Sequence, residues 1–460
     1  MAEPLRVLTK RYDEPDAHTL DGYLRTGGYT ALPRCLERDP DELLGEIKDA
    51  GIRGRGGAGF PMGVKWGFVP RWDDERPVYL VANCDESEPG TFKDRELVER
   101  DPFQLIEGMT IGGWVLGSHR GFIYVRGEYL WPGVRMEEAI AEAYRRGYLG
   151  DDVLGSGFSF HITLHYGAGA YICGEETALL ESLEGRRGQP RLRPPFPAVA
   201  GLYASPTALN NVETICNLPH LFEHDADWYR RMGTDKSPGP KLFCVSGEVN
   251  RPGNYEWPLG TPASQIVEES CGGMVDGLAP RFWTPGGSST PLLSGERLDT
   301  PMDFESIVEA GSLLGTAALQ VFSERTSVVE AVRNWTKFYE HESCGKCTPC
   351  REGTFWFSQV YDRLLDGRGV PGDLEVLADG ADNMFGRVLC ALGDGAAMPI
   401  KSSIELFRDE YEHLIEHGRL PDHLREHAGT VADNSQSDRP TEYARPRPEP
   451  VGGDAGTEAR

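Results

Sequence analysis

Positive charge is scarce in this chain: its 460 residues carry 47 Lys+Arg against 72 Asp+Glu, a formal net charge of −25. That surplus of acid works against nonspecific nucleic-acid binding, repels anionic lipid and favours solubility. Long hydrophobic runs are missing as well. No stretch approaches the ~18 apolar residues a spanning helix needs, so no direct membrane insertion is expected and any membrane association runs through partner subunits. Met1 to Asp16 alternates charges and lacks the apolar core of a secretory signal, which points to the cytoplasm. Cys35, Cys84, Cys173, Cys216, Cys244 and Cys271 stand singly, the pattern of buried thiols in a reducing compartment rather than of a disulfide framework. Internal repeats are absent, and a chain of 460 residues predicts roughly three domains of ordinary size.

Against that background three cysteines crowd into seven residues, Cys344-Gly345-Lys346-Cys347-Thr348-Pro349-Cys350, and Cys390 follows after 39 more. C-x2-C-x2-C plus one distant cysteine is a recurrent spacing for [4Fe-4S], each iron corner taking one thiolate. Structural zinc usually takes two separated pairs. A zinc knot and a disulfide cluster are the competing readings, the second disfavoured by the compartment.

Gly51-Ile52-Arg53-Gly54-Arg55-Gly56-Gly57-Ala58-Gly59-Phe60-Pro61-Met62-Gly63 is the main glycine-rich stretch, with Lys65-Trp66 just beyond. Glycines let backbone N–H groups approach phosphate oxygens, while Arg53, Arg55 and Lys65 supply positive charge. Gly54 to Gly59 formally satisfies G-x-G-x-x-G, yet a helix-like segment precedes it where a dinucleotide fingerprint requires a strand. The ordinary fingerprint reading is therefore rejected, leaving a phosphate loop or a flexible linker.

Pro77 to Ala82 reads as a strand running into Asn83-Cys84-Asp85-Glu86-Ser87-Glu88-Pro89-Gly90-Thr91. Ligands sit at the carboxyl ends of such strands, and these acids can accept hydrogen bonds from sugar or ribityl groups. A solvated acidic turn is the plain alternative. Phe158 to Tyr166, the Gly167-Ala168-Gly169 turn and the helical Glu175 to Leu183 aim a helix N-terminus at an anion. Gly185 to Pro197 concentrates Arg186, Arg187, Arg191 and Arg193, with Phe196 held out by prolines as a platform for a flat ring. A basic loop paired with the acidic surface fits it too. Asn210-Asn211 would suit a heteroaromatic edge, or simply a turn.

The strand, turn, strand and short-helix order from Lys241 to Ser270 predicts a small β-grasp domain reaching about Glu324. From Thr326 the pattern is helical. Val328, Val332, Trp335 and Tyr339 share one face; Trp356, Val360 and Leu364 another; then Leu374, Leu377 and Met384; then Ile404, Phe407, Tyr411 and Leu414. Four such helices predict a bundle with its cysteine loops at one end. Val431 to Arg460 is polar, Pro/Gly-rich and aromatic-poor, and is expected to be a disordered tail.

A phosphate-cradling region beside an iron–sulfur bundle implies redox chemistry between unlike carriers. Nicotinamide gives up two electrons as hydride and a cluster takes them singly, so a flavin between them is the simplest converter. Five ordered blocks then carry a specific resemblance: Gly54 to Pro61, Asn83 to Thr91, Gly169 to Thr177, Asn210 to Thr214 and Glu342 to Gly353 are similar to blocks of the family of NADH-binding F subunits (51 kDa) of respiratory complex I. The likeness covers about Arg11 to Pro421.

The resemblance implies an α/β and α+β multidomain chain: an atypical Rossmann-like FMN- and NADH-binding domain with N-terminal helices over 1–240, a ubiquitin-like, SLBB-type β-grasp over 241–325, a four-helix [4Fe-4S] domain over 326–430, and the tail over 431–460. It places Gly54, Arg55, Gly56, Gly57, Lys65, Asn83, Asp85, Tyr171, Gly174, Glu175, Asn210 and Asn211 around FMN. Gly59, Phe60, Phe68, Glu88, Glu176 and Phe196 would line the NADH side, and Cys344, Cys347, Cys350 and Cys390 would hold the cluster. Hydride would pass directly to FMN, so no side-chain acid or base is assigned. Electrons would continue to quinone through peripheral-arm partners, especially the [2Fe-2S] E subunit and the iron–sulfur G subunit, on the cytoplasmic face of the plasma membrane. Arg193 stands where lysine is expected, and Gly315-Thr316-Ala317-Ala318 departs from the usual pattern in the β-grasp region, which is expected to touch partner contacts rather than chemistry. The alternatives are a diaphorase subunit of a soluble NAD-linked hydrogenase or formate dehydrogenase, and a non-enzymatic zinc-stabilised scaffold.

Overall fold

The computed structural model describes residues 3–71 and 76–425. The tail expected over 431–460 lies outside the described residues. Four strands, β1 (Tyr79–Cys84), β2 (Arg120–Val125), β3 (His161–Tyr166) and β4 (Thr207–Asn211), form a sheet of order β3-β2-β1-β4 whose neighbours all run parallel. A parallel sheet needs cover on both faces, which is why its strands read as apolar runs. Side chains alternate accordingly. Leu80, Ala82, Cys84, Ile123, Val125 and Ala208 join one core, with Leu43 and Ile47 of α1 (Pro40–Ala50) and Phe103, Ile106 and Met109 of α2 (Pro102–Leu116). Val81, Tyr124 and Leu209 join a second core, with Leu179 and Leu180 of α3 (Glu176–Leu183). After β4 the chain enters α4 (Val212–Glu223), which returns to the first core through Ile215 and Leu218. Since β2 and β4 lie on opposite sides of β1, the connections diverge at the β1/β4 boundary, where open α/β sheets leave a ligand crevice.

A second sheet contains β5 (Pro240–Gly247), β6 (Gly253–Pro258), β7 (Pro280–Thr284), β8 (Leu293–Ser294) and β9 (Ala318–Ser323) in the order β6-β5-β9-β7-β8. β5 and β9 pair parallel; the other neighbours are antiparallel. The turn expected at Asn250 to Gly253 and the helix expected before Ser270 are both present, the helix as Ala263–Gln265 running on into Ile266–Ser270. One face packs Phe243, Val245, Trp283, Leu319 and Val321 into its own core. The sheet is also tied outward, by Leu242 to the first core and Phe282 to the second.

The C-terminal region forms α5 (Val328–Glu342), α6 (Thr348–Leu365), α7 (Asp373–Met384) and α8 (Ala391–His417). Its core is continuous with one face of the parallel sheet. Val328, Val332, Trp335 and Tyr339 are buried as the spacing predicts. Trp356 is not: it is 59% exposed, and the buried stripe of α6 is Gly353, Thr354, Phe357, Val360, Tyr361 and Leu364. At 3.6 residues per turn Trp356 and Phe357 sit about 100° apart, so phasing the stripe on the larger side chain turned the face by one position.

Candidate functional site

A cavity of about 830 Å³ opens at the β1/β4 boundary, within the usual size for cofactor sites. Gly56, Gly57 and Ala58 cover it from the sheet side with Asn83, Asp85, Tyr171, Gly174, Glu175 and Asn211. The other walls come from the second sheet's loops, through Ser289, Thr290 and Leu313 to Thr316, and from α8, through Leu392, Gly395 and Met398. The glycine stretch is no linker. Its neck is closed by Gly54 N–H to Phe60 O at 3.0 Å and Met62 N–H to Ile52 O at 2.8 Å. A Cβ on Gly56 would stand 2.8 Å from Asn211 Cβ, so glycine is what lets the loop close over β4. At Gly57, φ is +130° and nothing lies within 4 Å of where a Cβ would point. Backbone N–H groups are therefore free to meet an anion without side-chain obstruction.

Most acids around this cavity are already held by the protein. Asn83 donates to Gly174 O at 2.9 Å and accepts from Asp85 N–H at 2.9 Å, fastening the strand end to the turn before α3. The Ser87 hydroxyl donates to Asp85 at 2.5 Å, and burial pushes the Asp85 carboxyl up to about 7. Glu86 accepts the N–H groups of Asp94 and Arg95, opening helix Lys93–Arg100; burial, reinforced by Asp94, raises it to about 7. Glu88 accepts from Tyr171 Oη at 2.7 Å, Ser289 N–H at 2.8 Å and Ser288 Oγ at 3.2 Å. Ser288 also reaches the Tyr339 hydroxyl at 2.6 Å, so this carboxylate ties the parallel sheet to the second sheet and the bundle. Glu175 caps α3, accepting from Thr177 N–H at 3.0 Å and Ala178 N–H at 2.9 Å. Lys93 is the fully buried cation in the wall, 2.7 Å from Asp94 and 3.1 Å from Glu213.

The four thiols meet as the spacing predicts. Cys344 and Cys347 lie in the loop from α5 to α6, Cys350 in the first turn of α6, and Cys390 immediately before α8; all four line one smaller cavity with Lys346 and Val388. Leu389 N–H donates to Cys347 Sγ at 3.3 Å, and Ser343 Oγ lies 3.3 Å from Cys350 Sγ. Burial pushes the Cys390 thiol up to about 12, which keeps it protonated in the absence of a cationic partner. Among the described residues no three His, Cys, Asp or Glu side chains are placed to hold a single ion. Four thiols and no histidine line the cavity, and the C-x2-C-x2-C spacing with one distant cysteine is the pattern that favours a cluster over a zinc knot.

Family models match three consecutive parts of the chain: a Nuo51 FMN-binding domain over 47–220, an SLBB domain over 242–293 and an NADH-ubiquinone oxidoreductase-F iron-sulfur binding region over 330–414. The F subunit of the NADH-quinone oxidoreductase of Mycobacterium bovis is 54% identical over 427 residues, covering 91% of this chain and 96% of the relative. The chain belongs to the family of NADH-quinone oxidoreductase F subunits. Further F subunits similar to it include that of Streptomyces coelicolor, 56% identical over 89% of this chain and 91% of its own, and that of Escherichia coli, 45% identical over 90% and 93%. Among solved structures, a chain of an NAD+-reducing [NiFe]-hydrogenase superposes with a TM-score of 0.79 at 35% identity, over 90% of this chain and 68% of that one. FMN, a [4Fe-4S] cluster and NADH as substrate go with this membership; the large cavity has room for a flavin, and the four thiols are the ligand chemistry a cluster takes.

For an F subunit of this kind the expected cofactor residues separate into groups. Gly56, Gly57, Asn83, Asp85, Glu88, Tyr171, Gly174, Glu175 and Asn211 line the large cavity; Gly54 forms the neck of the loop. Arg55 turns inward instead: it is fully buried, with its guanidinium donating to Tyr229 Oη at 3.1 Å and Pro238 O at 2.9 Å. Asn210 points to the opposite face of β4 from Asn211 and accepts from Trp66 Nε1 at 2.8 Å, as strand alternation requires. Asn211 keeps the cavity side, donating to Asp94 at 2.6 Å and capping α4 through Glu213 N–H at 3.0 Å.

Lys65, Glu176 and Arg193 form a linked set beside Glu175, with Lys65 to Glu176 at 3.0 Å and Arg193 to Glu176 at 2.9 Å. Phe60, Phe68 and Phe196 are 50%, 62% and 56% exposed, and Arg193 stands 6.0 Å from the Phe196 ring. Gly59 packs its α-carbon against Phe304. The rest of the basic loop follows the plainer reading: Arg186 and Arg191 pair with Glu181 and Glu184, while Arg187 and Gln189 donate to Cys344 O. The Gly315-Thr316 departure does touch the cavity, where Thr316 Oγ1 lies 2.6 Å from Thr91 Oγ1. Lys93 carried no signal in the sequence, since a Lys-Asp pair at a helix start is an ordinary surface pattern.

Proposed function

We propose that this chain is the electron-input subunit of a respiratory NADH:quinone oxidoreductase. The observation that carries it is the adjacency of the two cavities, one beneath the glycine loop and one ringed by four thiols, on either side of the turn Tyr171–Gly174. Bound FMN supplies acceptance of hydride from NADH and release of electrons one at a time. The protein's own work is placement. Backbone N–H groups of Gly56 and Gly57 and the charge of Lys93 receive the phosphate; Asn83, Asp85, Tyr171, Gly174, Glu175 and Asn211 shape the pocket. Lys65, Glu176, Arg193 and the exposed rings of Phe60, Phe68 and Phe196 receive the dinucleotide, with Phe196 under its adenine. Gly54 and Arg55 act through the loop backbone, and Cys344, Cys347, Cys350 and Cys390 ligate the cluster.

The parallel sheet is then an atypical Rossmann-like FMN domain over 1–240, the five-stranded sheet a ubiquitin-like β-grasp over 241–325, and 326–430 the four-helix cluster domain. Among the described residues no helix is long and apolar enough to cross a membrane. The E and G subunits of the complex are the proposed electron acceptors and the link to the cytoplasmic face. The hydrogenase likeness at 35% identity supports a shared NADH and flavin module, while relatives at 45–56% identity favour the quinone-linked complex. Anaerobically purified protein should be yellow-brown and reduce ferricyanide with NADH. A colourless protein containing zinc and lacking that activity would leave the scaffold reading standing.

A further inference from the structure

Ile172 and Leu392 line both cavities at once, the one assigned to flavin and the one ringed by cysteines. Each is 5% exposed and wholly apolar. Resting on the function proposed above, we infer that these two side chains form the septum through which electrons pass from flavin to cluster, and that their bulk keeps water from joining the two chambers.

Both are held from the cysteine side. Ile172 rides on the turn Tyr171–Gly174, whose Tyr171 N–H donates to Glu342 at 3.0 Å; Glu342 ends α5, two residues before Cys344. Leu392 sits in the first turn of α8, two residues after Cys390. Glycines let that turn wedge between the chambers. A Cβ on Gly393 would stand 2.8 Å from Val388 Cγ2, in the wall of the cysteine cavity, and one on Gly395 would stand 2.9 Å from Ser289 Cβ, in the wall of the large cavity. The partition is therefore one side chain thick and fixed on both faces.

The step across it moves one electron at a time and makes or breaks no bond. Hydride would bring two electrons and one proton, so two single transfers across the septum would leave that one proton to be released on the flavin side, with no atom crossing. A dry, low-dielectric shell sets the potential of a metal centre by excluding solvent. Removing the septum would admit water to the cluster, stabilise the extra negative charge of its reduced form and raise its midpoint potential.

The test uses the cofactor-loaded chain. Flavin bleaching by NADH and an NADH-reducible cluster signal in the unsubstituted protein are measured first; absence of either overturns the functional reading and this inference together. Leu392→Ala and Ile172→Ala are then exchanged into D2O and their reduced clusters studied by pulsed EPR with a redox titration. New deuteron coupling and a higher midpoint potential are expected, with rescue of both by the volume-conserving Leu392→Met and Ile172→Leu. If an alanine variant loses the cluster, Leu392→Val and Ile172→Val carry the same readouts with less volume removed. Variants that hold both cofactors yet keep the parent's deuteron coupling and potential would overturn the inference, leaving these side chains as ordinary packing.

Discussion

Replacing Glu213 with Gln should cost far more than a salt bridge normally does. Glu213 is fully buried at the start of α4, accepting from Lys241 Nζ at 2.6 Å and Leu242 N–H at 2.8 Å and lying 3.1 Å from Lys93 Nζ. Burial alone would raise its pKa, but Lys241, Lys93 and Arg55 outweigh it and hold the carboxyl below its ordinary value. Glutamine keeps the shape and one acceptor while removing the charge. Lys93 would retain Asp94, but Lys241 would lose its charged partner and keep only neutral acceptors such as the Leu242 carbonyl at 2.7 Å. Breaking a buried pair by removing one partner costs about 3–5 kcal/mol, against about 0.2–1 kcal/mol for an exposed pair. Urea unfolding followed by tryptophan fluorescence reads the loss, and acid-released FMN reports on the wall to which Lys93 belongs. Adding Lys241→Met removes the orphaned cation and should recover most of the loss. A cost below about 1 kcal/mol, or a double variant less stable than the single one, would show that the pair is not desolvated as its burial implies.

Further expectations attach to other parts of the site. Glu176→Gln leaves Lys65 and Arg193 without their shared carboxylate, so use of NADPH relative to NADH should rise, read as the ratio of kcat/KM values; an unchanged ratio removes charge repulsion as the basis of selectivity. Asp85 is raised from 3.8 to about 7 by burial, so the folded chain binds more protons than the unfolded one across that window and stability falls as pH rises through it. Asp85→Asn removes this penalty: its stability relative to the parent should climb from pH 4 to about 7 and then level off, as thermal melts in a pH series would show. Asn211→Ala removes the α4 cap and the bond to Asp94, which should cost about 1 kcal/mol for the cap alone and weaken FMN retention on gel filtration.

Local signals in the sequence carried the broad plan. Apolar runs ending in Asn83-Cys84-Asp85 located a buried parallel strand and its ligand end, and the period of Val328, Val332, Trp335 and Tyr339 located α5. Cysteine spacing located the second cavity because all four thiols fall at helix starts or in one loop. What local pattern could not supply was the direction of individual side chains. Neighbouring Asn210 and Asn211 must diverge on a strand, Arg55 shares a loop with cavity glycines but turns into the core, and Trp356 lies one position off the buried stripe. Walls assembled from distant segments were also invisible. Ser289, Thr316 and Leu392 reach the cavity through the packing of three separate cores, which no single segment's periodicity encodes.

Whether paired electrons enter at flavin and leave singly through iron is decided by adding NADH anaerobically to the purified chain, with FMN absorbance and EPR recorded on the same sample. The flavin should bleach, and a single iron–sulfur signal should appear with it. Protein that releases no FMN on denaturation, or whose flavin bleaches while no paramagnetic iron centre forms after iron and sulfide reconstitution, would contradict that electron path.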